Sequence, residues 1–141
     1  MEIFIGIAGL LIAWLTYNKT FNSKPDVTEK RNNLLGVFIA TQKLHLEVQS
    51  LLQKYIDENN GANHEIYPNI TFQQTLNMYK QEFEKGLSDK VYQDLKNNQI
   101  YTKSNIATFQ NMIDTQHNAL LQFKNQLLFL TPSTNNQKFE M

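Results

Sequence analysis

The sequence predicts an all-α protein: an N-terminal single transmembrane helix followed by a coiled-coil-like cytoplasmic helical bundle. Three observations carry this expectation. Ile3–Tyr17, read as IFIGIAGLLIAWLTY, contains no charged residue. Two later stretches, about 27–58 and 103–130, place apolar residues in alternating steps of three and four, the repeat of packed helices. No strand-like alternation of period two competes with them. The expected organisation is a transmembrane helix at 1–19, a juxtamembrane junction at 20–26, a bundle at 27–131 with helices near 27–58, 71–85, 88–97 and 103–130, and a polar tail at 132–141.

The first element is short. Fifteen residues at about 1.5 Å each cover ~22 Å, against a hydrocarbon core of about 30 Å. Snorkelling of Lys19, interfacial anchoring by Trp14 and Tyr17, and a thin bilayer or oligomerisation absorb the difference. A buried core helix and a cleaved signal peptide are the rival readings. The second is disfavoured by the Met1-Glu2 start and by a Trp14-Leu15-Thr16-Tyr17 run with no small-residue cleavage site. Lys19, Lys24, Lys30 and Arg31 follow the segment, which places the N-terminus outside and the body in the cytoplasm, at a cell inner membrane. The same four cations are candidate contacts for lipid headgroups or a phosphate-bearing signal. Gly6, Gly9, Ala13 and Thr16 recur in steps of three and four and form a candidate association seam, because small residues let helices approach closely in lipid.

Composition limits the rest. The 141 residues hold thirteen basic and thirteen acidic side chains, and Arg31 is the sole arginine, so nothing in the chain draws it to duplex DNA. With no cysteine there are neither disulfides nor thiolate metal sites. Thirty Asn and Gln residues are spread through the helical patterns and read as uncharged solvated faces.

The junction offers Ser23 as a cap, Pro25 in the first turn and Asp26 in the reciprocal position. The first long helix has a seam of Leu34, Val37, Thr41, Leu44, Val48, Leu51 and Tyr55, widened by Leu35, Phe38, Leu52 and Ile56, and Asn59-Asn60-Gly61 stops it. Ala62–Asn69 reads as a loop. Thr71 and Gln74 form a capping-box pattern before Phe72, Leu76, Tyr79 and Phe83, and Gly86 fits a C-terminal cap. Ser88 restarts the chain, with Leu87 and Tyr92 spaced as a hydrophobic staple. The last helix carries Ile106, Phe109, Ile113, Gln116, Leu120, Phe123, Leu127 and Leu130 in register, with Leu121 and Leu128 extending the apolar face, and Pro132 ends it.

Each long seam has one polar interruption near its middle, Thr41 and Gln116; if the two helices run antiparallel these fall close together, with His45 and His117 beside them. Such a layer fixes register or oligomeric state, or senses a ligand inside the bundle. His45, His64 and His117 lack metal-ligand spacing, no serine sits in a Gly-rich elbow, and the five glycines form no phosphate loop. The expectation is a protein that is not an enzyme and holds no cofactor or metal.

Two functions of different class fit. One is a homo-oligomeric single-pass membrane effector that forms or gates a membrane-disrupting pore under a cytoplasmic signal. The alternative is a membrane-anchored helical adaptor that docks a protein partner through its tail or the Phe72–Tyr92 arm. In layout, one short N-terminal span, a basic stretch at Lys19–Arg31 and a small helical body, the chain resembles the single-pass membrane effectors of nucleotide-signalled bacterial anti-phage defence, among them the Hailong membrane effector. That resemblance implies membrane lipid and other copies of the chain, for example as a tetramer, as partners. It also implies a nucleotide or single-stranded oligonucleotide signal, for which Lys43, Tyr55, Tyr79 and Lys124 would supply phosphate and stacking contacts.

Overall fold

The computed structural model describes residues 28–97 and 103–130. Helix α1 (Thr28–Asn59) is followed by a two-stranded ribbon of β1 (Glu65–Tyr67) and β2 (Ile70–Thr71). Helix α2 (Phe72–Glu82) runs directly into a π-helical turn (Phe83–Leu87), then come α3 (Asp89–Asn97) and α4 (Lys103–Leu130). The structure is a helical bundle. It corrects the predicted fold class: among the described residues no helix is long and apolar enough to cross a membrane. The physical reason is that α1 and α4, though long, interleave charged and amide side chains with the apolar ones and bury only one face. The expected span at 1–19, with Gly6, Gly9, Ala13 and Thr16, lies outside the described residues, as do Lys19, Lys24, the 20–26 junction and the 132–141 tail.

Pairings along the helices give their directions. Thr41 meets His117 and Glu47 meets Lys124, so α1 and α4 run parallel and not antiparallel, and the polar positions meet all the same because both lie near mid-helix. Tyr55 stacks on Phe72, His45 lies against Tyr79, and Gln42 reaches Leu87, so the α2–α3 arm runs antiparallel to α1. A full-length return arm between two parallel long helices makes an up–down–up bundle.

Local chemistry sets each boundary. Asn60 takes a left-handed conformation (φ 50°) and the Gly61 N–H donates to the Ile56 carbonyl at 3.0 Å, the Schellman closure of a helix end. Thr71 and Gln74 complete the capping box at α2, with both reciprocal bonds present. The expected loop at 62–69 contains β1. Glu65 pairs with Thr71 and Tyr67 with Ile70, and Asn69 supplies the positive φ (66°) of the tight turn. Three residues are too few to show alternation in the sequence. Gly86 does not make the left-handed cap expected of it: no glycine among the described residues has positive φ, and Gly86 is buried inside the π-turn.

The core has two apolar clusters. One joins Leu34, Leu35 and Phe38 to Leu87, Val91 and Leu95 of the arm and to Ile106, Phe109 and Ile113 of α4. The other joins Leu44, Val48, Leu52 and Ile56 to Phe72, Leu76 and Tyr79 and to Leu120, Phe123 and Leu127. On α1 the buried face is centred on Phe38, Thr41, His45, Val48 and Leu52, while Val37, Leu51 and Tyr55 are only half-buried. The seam is rotated because α1 must meet both α4 and the arm.

Candidate functional site

Between the two apolar clusters lies a layer of buried polar side chains contributed by all three rods: Thr41, Gln42 and His45 from α1, Glu82 from the end of α2, and Gln116 from α4. His117 is half-buried at its edge. The structure therefore brings together the four residues singled out by sequence, Thr41, His45, Gln116 and His117, at one level of the bundle.

The hydrogen bonds fix several protons. Thr41 Oγ1 donates its only proton to the Val37 carbonyl at 2.8 Å, so at 3.1 Å it can only accept from His117, whose Nδ1 must carry the hydrogen. Gln49 Nε2 donates to His45 Nδ1 at 3.0 Å, which places the hydrogen of neutral His45 on Nε2. The His45 ring sits between Tyr79 and Phe83, with centroids at 5.1 and 5.5 Å. Burial there lowers the imidazole to about 4 from its ordinary 6.5, keeping it neutral.

Glu82 and Gln42 are the members that sequence reasoning missed. Glu82 is 4% exposed, and among the described residues neither carboxyl oxygen has a hydrogen-bond partner. Burial raises its pKa to about 7 from 4.5. Gln42 Nε2 donates to the Leu87 carbonyl at 2.6 Å, with Asp89 Oδ1 a second acceptor at 3.3 Å, and so ties α1 to the end of the π-turn. Both were findable. Glu82 continues the steps Phe72, Thr75, Tyr79, and Gln42 lies four residues after Phe38 on the side facing the arm. Gln116 is fully buried, with neither end of its amide partnered among the described residues. Apart from Thr75, whose hydroxyl donates to the Thr71 carbonyl at 3.0 Å, the layer holds the buried polar side chains of the described interior, and a polar position of this kind disfavours slippage of one helix along another.

On the face of α1 opposite His45 and Leu52 a second feature opens. A groove of about 600 Å³ runs between α1 and α4, walled by Lys43, Leu46, Glu47, Ser50, Leu51 and Lys54 on one side and by Lys124 and Leu128 on the other. Lys124 Nζ donates to Glu47 Oε2 at 2.6 Å and joins the two walls. Large apolar side chains stand exposed along it and beyond: Leu46 at 47%, Leu121 at 41%, Leu128 at 47% and Phe129 at 88%, with Leu130 next to them.

The remaining candidates are scattered. Lys30 is exposed and Arg31 partly buried in the first turns of α1. Of the four oligonucleotide-contact candidates, Lys43 and Lys124 line the groove, but Tyr79 is buried, stacked on Phe123 at 5.1 Å, and Tyr55 is stacked on Phe72 at 3.9 Å. The faces those two rings would need for base stacking are already covered. His64 lies by the ribbon, its Nδ1 3.1 Å from the Tyr55 hydroxyl, and among the described residues no cluster of three His, Asp or Glu is placed to hold a metal ion. Comparison with protein families, curated proteins and solved structures finds no match to this chain.

Proposed function

We propose that the 28–130 body is a helical docking module that binds a protein partner. The observation that carries this reading is the exposed apolar surface on α1 and α4: Leu46 and Leu128 line the groove, and Leu121 and Phe129 stand exposed elsewhere on α4. Single exposed apolar residues are ordinary, but leucines on both walls of one groove mark an interaction surface. The surface sits on α1 and α4, the long rods, and not on the Phe72–Tyr92 arm, whose apolar side chains are spent on the core. The expectation of a membrane effector draws on Ile3–Tyr17, outside the described residues, and the body adds no support to it.

Site-specific photo-crosslinking tests the reading. A photoreactive side chain replaces Phe129 or Ser50 in the full chain, and, as a control, the exposed Asp94 of α3. The docking reading expects a discrete adduct with a second protein from positions 129 and 50 and none from 94. Adducts from 94 alone, or no heteromeric adduct at any position, overturn it.

A further inference from the structure

We infer that the groove between α1 and α4 takes an amphipathic helix of a partner protein, laid along the two parallel rods as a fourth helix, with carboxylates flanking its apolar stripe. The inference rests on the docking reading above and names the partner's chemistry. Lys43, Leu46, Ser50 and Lys54 recur in steps of three and four along α1, with Leu128 opposite. From Lys43 to Lys54 the stripe is about 16 Å long at ~1.5 Å per residue, roughly three turns of a docked helix. Among the described residues, two parallel helices with an arm on one side leave the fourth position of a bundle open on the other, and a helix in that position is a recurring mode of peptide recognition.

Charge selects the occupant. The groove carries three lysines and one glutamate; that glutamate is held by Lys124 at 2.6 Å, and Lys54 makes only a long, exposed pair with Glu58 at 3.9 Å, which a docked carboxylate can replace. Lys43 and Lys54 lie at the two ends of the α1 stripe, positioned to meet carboxylates at either end of a docked helix. A second copy offering the same face would set lysines against lysines, so self-pairing here is opposed.

The test uses the full chain and three synthetic helical peptides sharing one apolar stripe, with flanking positions all Glu, all Gln or all Lys, and reads binding by fluorescence anisotropy. The Glu peptide should bind about tenfold tighter than the Gln peptide, the Lys peptide weaker than either, and added salt should narrow the spread. Leu46→Glu and Leu128→Glu should each weaken the Glu peptide about tenfold or more, while Asp94→Lys leaves it unchanged. Equal binding of the three peptides, indifference to both leucine variants, or a concentration-dependent dimer that Leu46→Glu dissolves would overturn the inference. If it fails while position 129 still crosslinks a partner, the docking reading stands without the groove. If the crosslinks fail as well, both are lost.

Discussion

His45 and Glu82 titrate in opposite senses from one buried layer. For Glu82 the folded pKa (about 7) lies above the ordinary 4.5, so the folded state holds a proton that the unfolded chain releases. Its stabilising contribution is present below 4.5 and is lost as pH rises to 7. For His45 the folded value (about 4) lies below 6.5, so the unfolded chain holds the extra proton, and the contribution is present above 6.5 and lost as pH falls to 4. Between about 4.5 and 6.5 the two slopes cancel, and urea-unfolding free energies should be nearly flat with pH for this pair. Glu82→Gln should uncover the histidine, with stability rising by about 1 kcal/mol per pH unit across that window, and His45→Gln should uncover the carboxyl, with stability falling by a similar amount. Parallel pH profiles for the two variants would contradict the assignment. Gly61 is a separate case. A Cβ there would lie 2.7 Å from Tyr55 Cε1, and Tyr55 cannot retreat because it stacks on Phe72 and bonds His64. Gly61→Ala should cost about 1–3 kcal/mol in urea unfolding.

At the scale of elements, the arm depends on how its π-turn is held. Gln42 donates to the carbonyl of Leu87 at the end of that turn, inside the bundle where a lost partner is not replaced by water. Gln42→Leu should cost about 1–3 kcal/mol and should accelerate amide exchange in Phe83–Asn97 more than in Phe72–Tyr79. Uniform acceleration along the whole arm would show that the turn is not a local joint. Thr71→Ala removes one half of a capping box and should cost about 1 kcal/mol. The capping chemistry of Thr71 and the stop at Asn60 are local and legible in sequence. The π-turn is not: Phe83, Gly86 and Leu87 look like a helix end, and only the demand that Leu87 and Leu95 share a core with Leu34 and Ile113 keeps the chain winding.

For the molecule as a whole, the apolar steps of three and four in the two long helices reveal the rods and most of their buried residues, from Leu34 to Val48 and from Ile106 to Leu127. They do not reveal direction, because Thr41 and Gln116 sit near mid-helix and would fall level in either orientation. The return arm decides it. Nor do they distinguish Leu128, which continues the α4 pattern yet faces the groove and not the core. A leucine in a periodic run is read as core until the number of packed neighbours is known, and among the described residues one neighbour fewer than four leaves a face uncovered. The most direct measurement of whether a carboxylate-flanked helix fills that face is a charge exchange: Lys43→Glu/Lys54→Glu against the same Glu- and Lys-flanked peptides. Both lysines are exposed, so the fold is expected to tolerate the change. The double variant should lose the Glu-flanked peptide and bind the Lys-flanked one more tightly, reversing the wild-type order. An unchanged order of affinities would contradict the assignment of the groove to an acidic partner helix.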